Sequence, residues 1–452
     1  MGVHEKLIIQ NFFSIKDFEW DIKGFNVLTG GMASGKSLAL KLLYFCQQVF
    51  HQTIFLQPNL SKDKFYEDKY FDIISALFGK NFSSKNPSAD FHNTVIKYEY
   101  TLSSEEKDNA LDNTEFPLFG QPIPSIPVKF DLLATWNSQL NEFRWSSGYI
   151  SKNLEKWQIF FDAPKTPDLL DTIKNSIYSS ILSDFSSTFP LASIFIPASR
   201  AIVAIADRVS SQDEYMNNFM RFKNFVLEFD NISNNVVNSI LRVKDITTDK
   251  NGQPEFELLD GRKITSLELS SGQQELLYLL LIISDLEETS FKYGVPGSVF
   301  IEEPCAHLFP KEQKETMEFL VHYFNSLQNK KYNESGYRFF ISTHSPYILN
   351  TVNNILEKAR LLEKTKKVKT TETKNEILER IKGFSFKDLP IRNFSAYMIK
   401  DDGDVKSMIN DDDDNQYIYS NIIDDIANDI SDDAGKLLDI NDSINDILRR
   451  KI

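Results

Sequence analysis

The stretch Gly30-Gly31-Met32-Ala33-Ser34-Gly35-Lys36-Ser37 constrains this chain more than any other. It follows an apolar run, Phe25 to Thr29, and precedes Leu38-Ala39-Leu40-Lys41-Leu42-Leu43-Tyr44-Phe45, whose spacing predicts a buried helix reaching about Val49. Strand, glycine-rich loop and helix in that order make the G-x-x-x-x-G-K-S pattern of a phosphate cradle. Glycine lets the backbone come close to phosphate oxygens, and the loop N–H groups and helix N-terminus face the anion. Lys36 is then placed for the β- and γ-phosphates and the Ser37 hydroxyl for Mg²⁺. A chance glycine turn ahead of a core helix is the plain alternative, and the strand and helix on either side weigh against it.

The 452 residues carry 50 Lys and Arg against 64 Asp and Glu, a net charge of −14. Nucleic-acid binding draws on Lys and Arg neutralising phosphates, so a surface that coats nucleic acid everywhere is disfavoured, while a local basic groove stays open. Cys46 and Cys305 belong to no C-x-x-C pair, which argues against a disulfide framework or a cysteine zinc site and fits a reducing cytosol. Met1 to Lys6 lacks the apolar core of a signal peptide, and the longest apolar run, Leu276 to Ile283, is far short of the ~20 residues of a membrane helix. The expectation is a cytoplasmic protein with no membrane span.

Four segments follow from the pattern of the chain. Residues 1–50 hold a strand pair, Lys6 to Gln10 and Phe18 to Ile22, and the phosphate loop. Residues 51–190 are aromatic-rich and interrupted by breakers such as Gln121 to Pro127, and read as an insertion. Within it Thr94 to Leu102 and Val128 to Leu132 have strand composition, and Asp168 to Phe189 reads as helical. Residues 191–356 begin with a buried strand, Ser193 to Ile196, continue through a helical stretch at about 211–242 and include a hairpin around Asp260-Gly261. Residues 357–452 read as a helical and acidic C-terminal region, in which Asp411 to Asp414 are taken as a solvated loop rather than a metal site.

Three more motifs lie between 268 and 350. Ser270-Ser271-Gly272-Gln273 precedes the apolar helix Leu276 to Leu286, so these residues would open a helix, either as a simple cap or as a second anion site. Gly297 to Ile301 is an apolar strand ending in Glu302-Glu303. Neighbouring strand side chains point to opposite faces, so Glu302 would serve the Mg²⁺ and Glu303 would face the attacking water as general base. Tyr337 to Thr343 is a further strand that places His344 at its end.

Ser270 to Gln273 resembles the L-S-G-G-Q signature of ABC-type ATPases, with Ser271 in place of the first Gly. His344 resembles their switch histidine. All four motifs, together with Glu302-Glu303-Pro304 and Thr343-His344-Ser345-Pro346, resemble the SMC/RecF/OLD-like branch, often labelled AAA-type. The resemblance implies an α/β fold: a P-loop core with a mixed or parallel sheet flanked by helices, a strand-rich N-terminal subdomain and an α/β insertion. It implies an ATPase that binds ATP and Mg²⁺ through Gly30 to Ser37 with Glu302 on the metal, uses Glu303 and His344 in hydrolysis, and takes Ser270 to Gln273 from a neighbouring subunit. A homo-oligomer, at least a dimer, follows.

The long span between Gly35 and Gly272 does not suit a compact transporter subunit, and no heptad coiled coil or cysteine hook is visible. Asp402-Gly403-Asp404 has the Asp spacing of a TOPRIM nuclease, but no upstream Glu strand accompanies it. The chain therefore resembles the stand-alone ATPase subunits of bacterial anti-phage systems such as PARIS. That implies a scaffold controlling a separate TOPRIM-type effector under a phage-encoded trigger. A RecF-like DNA-maintenance ATPase that binds duplex DNA across its dimer is the alternative.

Overall fold

The computed structural model describes residues 2–56, 93–103, 129–137, 142–150, 192–198, 235–248, 254–293, 297–327, 337–366, 368 and 371–409. The expected helix at 168–189, most of that at 211–242 and the acidic run at 411–414 lie outside them.

The centre is a six-stranded sheet built from β3 (Phe25–Gly30), β7 (Ala192–Ile196), β11 (Gly297–Glu302), β12 (Arg338–Thr343), β13 (Phe394–Ile399) and β14 (Val405–Ser407). Their order across the sheet is β14-β13-β3-β12-β11-β7. All neighbours run parallel except the β13–β14 hairpin. A parallel sheet is covered on both faces, so its strands are apolar throughout rather than alternating, as in the fully buried β11. Consecutive phenylalanines then serve opposite faces. Phe340 stacks on Phe300 at 4.5 Å and meets Trp20 edge-on, and Phe300 in turn meets Tyr44 of helix α1 (Lys36–Leu56). On the other face Phe339 and Phe25 meet Phe324 of helix α4 (Pro310–Leu327). Helices α3 (Ser271–Tyr293) and α5 (Pro346–Lys366) add to this second layer, each against α4, with α2 (Asn235–Leu241) beside α3 and α6 (Thr371–Lys382) beside α5.

Asn26, fully buried on β3, fixes the sheet register. Its amide accepts from Lys23 N and Ser395 Oγ and donates to Lys23 O and Phe339 O, tying β3 to both β12 and β13. All its hydrogen-bonding capacity is used, the condition under which a buried amide is tolerated.

An antiparallel five-stranded sheet lies beside the core. Strands β1 (Gly2–Phe12) and β2 (Ile15–Asp21) form the expected pair, and β4 (Val95–Ser103) and β5 (Lys129–Asn137) are the two strands read in the insertion, with β6 (Glu142–Ile150) completing the sheet in the order β2-β1-β4-β5-β6. A small sheet, β8 (Val243–Thr248), β9 (Pro254–Leu258) and β10 (Lys263–Thr265), contains the predicted Asp260-Gly261 hairpin.

Three features differ from the sequence reading. Helix α1 runs to Leu56 rather than to about Val49. The N-terminal strand pair does not stand apart from the insertion, because β1 pairs along its length with β4. Residues 394–407, read as part of a C-terminal region, supply β13 and β14 to the central sheet, with β13 directly beside the phosphate-loop strand. Six residues of strand give too short a periodic signal to reveal a partner more than three hundred positions away. Among the described residues no helix is long and apolar enough to cross a membrane.

Candidate functional site

Strand β3 ends at Gly30, and α1 begins at Lys36, so the intervening loop crosses the carboxyl edge of the parallel sheet, the edge at which α/β sheets place ligands. Gly30 (φ +145°) and Gly35 (φ +112°) adopt conformations that favour glycine, and close neighbours exclude a side chain as well. A Cβ on Gly30 would lie 2.1 Å from Ile399 O, and one on Gly35 would lie 2.7 Å from Ser14 Oγ. Ala33 also sits at positive φ. Ser14, in the β1–β2 turn, donates to Ser34 O at 3.0 Å, so the loop is braced from that side. Met32, at the crown of the loop, is 89% exposed.

Lys36 turns back into the loop and donates to Gly30 O at 3.0 Å and Gly31 O at 2.7 Å. Burial depresses its ammonium below the ordinary lysine range, and the carboxylates of Glu303 and Asp401 pull it partly back. Ser37 stands in the first turn of α1, which holds no acidic residue to oppose an anion.

Glu302 ends β11, buried. One carboxylate oxygen accepts from Ala198 N at 3.3 Å and the other lies 3.9 Å from Lys41 Nζ. Lys41 follows Ser37 by one helical turn on the same face of α1, which brings Glu302 to the side of α1 that carries Ser37. Glu303 is already out of the strand at φ +45°, with its N–H donating to Ser342 O at 2.9 Å. The two carboxylates are thus parted by a left-handed turn of the backbone, where simple strand alternation was expected. An uncommon conformation of this kind concentrates at functional positions.

His344 lies just past the end of β12, its side chain 60% exposed. Its Nδ1 is 2.9 Å from Glu303 Oε2, and its backbone N–H donates to the same oxygen at 3.3 Å. Glu303 and His344, far apart in sequence, are thus in contact, and the Glu303 carboxylate is near enough to Lys36 to act on its charge.

Ser270 to Gln273 have different neighbours. Ser270 caps α3 with Gln273 in a reciprocal box: Ser270 N donates to Gln273 Oε1 at 2.9 Å, and Gln273 N to Ser270 Oγ at 3.4 Å. Gln273 Nε2 donates to Leu241 O at 2.6 Å, and a Cβ on Gly272 would lie 3.0 Å from Leu308 Cδ2. Ser271 is exposed, which is why a hydroxymethyl group is accommodated at that position.

Two contributors were not legible in the sequence. Gln313 of α4 donates to Leu308 O at 2.8 Å and accepts from Ser345 Oγ, tying the loop after the acidic pair to the residue after His344. Asp401, in the β13–β14 turn, lies against Gly31. Its K-D-D-G-D context reads as a turn, and nothing in it marks the phosphate loop as a neighbour.

A family model described as "AAA domain, putative AbiEii toxin, Type IV TA system" matches residues 25–350. The chain belongs to this family. Membership makes it an ATPase of the AAA-domain family, with nucleotide binding and ATP hydrolysis as its general chemistry. Solved structures similar to this AAA-family chain include an SMC head domain from Thermotoga maritima, at TM-score 0.34 and 9% identity over 77% of this chain and 91% of that one. Another is the recombination mediator protein RecF-ATPrS of the RecFOR pathway, at TM-score 0.32 and 11% identity over 90% of this chain and 98% of that one. No curated protein matches the chain.

The residues of the loop fit a nucleoside triphosphate with Mg²⁺. Glycines at 30 and 35 let the loop pack directly on β13 and the β1–β2 turn, and Ser34 Oγ is buried in the loop without a hydrogen-bond partner. Among the described residues no group of three or more His, Cys, Asp or Glu could hold a metal alone. Mg²⁺ takes few protein ligands and keeps phosphate and water oxygens for the rest, so Ser37 and Glu302 are the residues that would hold it.

Proposed function

We propose that this chain binds ATP at Gly30 to Ser37 and hydrolyses it in an oligomer, and that its nucleotide state controls a separate effector in anti-phage defence. The observation that carries the catalytic part is the convergence of Lys36, Glu303 and His344 on one edge of the sheet. Lys36 leaves the loop carbonyls for the β- and γ-phosphates. The backbone N–H groups of Gly31 to Gly35 and the start of α1 face the same phosphates. Ser37 and Glu302 hold the Mg²⁺, which offsets phosphate charge when bound. Glu303 takes the proton of the attacking water. His344 keeps that carboxylate in place through its backbone N–H, leaving its exposed ring able to turn toward the γ-phosphate.

Ser270 to Gln273 would close the site of a neighbouring subunit. Three large apolar side chains support a covered surface here: Met32 on the loop, Leu267 just before Ser270 (60% exposed) and Phe309 after the acidic pair (79% exposed). The naming of the family after an AbiEii toxin of a Type IV toxin–antitoxin system supports the defence reading. Duplex DNA is the less favoured partner. Many described basic side chains are already paired with acids, as in Lys244–Glu257, Lys263–Glu255, Arg242–Glu312 and Lys314–Glu318, and the net charge is −14.

The test is affinity purification of the tagged chain from its native host with ATP and with ADP. A second protein retained in one nucleotide state and released in the other supports effector control. Salt-sensitive, ATP-dependent DNA binding with no protein partner overturns it in favour of DNA maintenance.

A further inference from the structure

Strand β13 runs parallel to β3 and pairs Ile399 with Gly30, so both strands leave the sheet side by side. After β13 the chain makes a tight turn. Gly403 N donates to Lys400 O at 3.0 Å and Lys400 N to Asp404 O at 2.9 Å, with Gly403 at φ +86°. The turn is locked to the β1–β2 turn by a bond from Lys16 N to Gly403 O at 3.0 Å, and a Cβ on Gly403 would lie 2.3 Å from Ser14 O. Ser14 in turn braces the phosphate loop.

Three aspartates occupy this turn, and two have local work. Asp402 Oδ1 accepts from Asp404 N at 3.0 Å, closing the turn, and Asp404 lies 3.6 Å from Lys16 Nζ. Asp401 does neither. Its carboxylate lies over Gly31, where a Cβ would come within 2.4 Å of Oδ1, so glycine at 31 is what makes room for it. The rigid turn fixes a negative charge against the part of the loop whose carbonyls hold Lys36.

We propose that Asp401 is a resident anion of the phosphate loop: it shares the field of Lys36 before nucleotide arrives and weakens the hold of the loop on a nucleotide polyphosphate. It is a positioning and affinity-setting residue, not a catalytic one. Lys36 responds electrostatically to Asp401 as well as to Glu303, in keeping with that placement. An incoming polyphosphate carries several negative charges, and Asp401 is exposed to solvent. The repulsion is therefore partly screened, and its removal should change affinity by roughly 3- to 10-fold. The consequence is a loop that binds nucleotide loosely by itself and releases product readily. This inference rests on the reading of Gly30 to Ser37 as the nucleotide site.

The test is calorimetric titration of the full chain with ADP and Mg²⁺, a ligand that is not turned over, on wild type, Asp401→Asn, Asp404→Asn and Lys36→Ala. Asp401→Asn should bind ~3- to 10-fold more tightly, with the gap narrowing as salt rises from about 0.05 to 0.3 M. Asp404→Asn should bind as wild type does, which separates position from a general loss of negative charge. Thermal melting without nucleotide should place Asp401→Asn with wild type, so that a change in affinity is not a change in folding. A wild type that binds while Asp401→Asn binds equally or more weakly overturns the inference alone. A Lys36→Ala chain that binds like wild type, or a wild type that does not bind, overturns the reading of the loop and this inference with it.

Discussion

Strand β12 joins two acid–base pairs that differ in almost every physical respect. At its start the partly buried Arg338 pairs with the buried Glu5, and Glu5 also accepts from Gln47 Nε2 at 3.0 Å and Tyr98 Oη at 2.7 Å. That closed cluster draws on β1, β4, α1 and β12 and fastens the antiparallel sheet to the central one. Burial lowers the Arg338 guanidinium to about 9, still above neutrality, so it stays charged against Glu5. Just past the other end of β12, His344 pairs with Glu303 at 2.9 Å, and the histidine is largely exposed. In the closed pair Glu5 is held by Gln47 and Tyr98 as well as by Arg338, while the open one leaves an exposed ring and a carboxylate facing an anion cradle. Position in the sheet explains the difference: the amino edge of this parallel sheet is sealed by other elements, and the carboxyl edge is where loops open.

Replacing each pair should therefore have opposite signatures. Glu303→Gln should lower ATP turnover by roughly 10²- to 10⁴-fold, as loss of a general base does, while ATP is still bound and the melting temperature hardly moves. Single-turnover assays and melting curves together check this. Arg338→Met should do the reverse. An uncompensated Glu5 charge in the interior costs about 3–5 kcal/mol of stability, read by chemical denaturation, and the Glu5→Gln/Arg338→Met pair should recover most of it, because a neutral amide oxygen still accepts from Gln47 and Tyr98. A large turnover defect in the folded double variant would erase the contrast between the two ends of the strand. His344→Ala should lower turnover about 10- to 100-fold, less than Glu303→Gln, because the backbone N–H at that position still holds the carboxylate after the ring is removed. Lowest in expected size is the tightening of nucleotide binding in Asp401→Asn described above.

The glycine loop, the acidic pair and the histidine were legible because each is a short motif bounded by a strongly apolar strand or helix, so local sequence fixed both element and position. The apolar run located Glu302 and Glu303 at the end of a strand but did not give their geometry: Glu303 departs from the strand at positive φ, a backbone choice that glutamate does not advertise. The closed cluster was invisible, since Glu5, Gln47, Tyr98 and Arg338 each look like ordinary surface or amphipathic residues until the two sheets meet. Asp401 was hidden for a related reason. Its turn was recognisable, but its neighbour is set by the pairing of β13 with β3, which a short apolar strand does not specify.

An ATP site built on Lys36 and Glu303 and completed by Ser270 to Gln273 of another subunit should be recoverable by mixing two inactive variants. Lys36→Ala keeps its Ser270 to Gln273 intact, and Ser271→Arg, altered at an exposed residue, keeps its phosphate loop intact. Each variant should be inactive alone, and the mixture should regain ATP turnover, because a mixed oligomer contains one complete site. A mixture as inactive as its parts, under conditions where mixed oligomers are shown to form, would rule out a site shared between subunits.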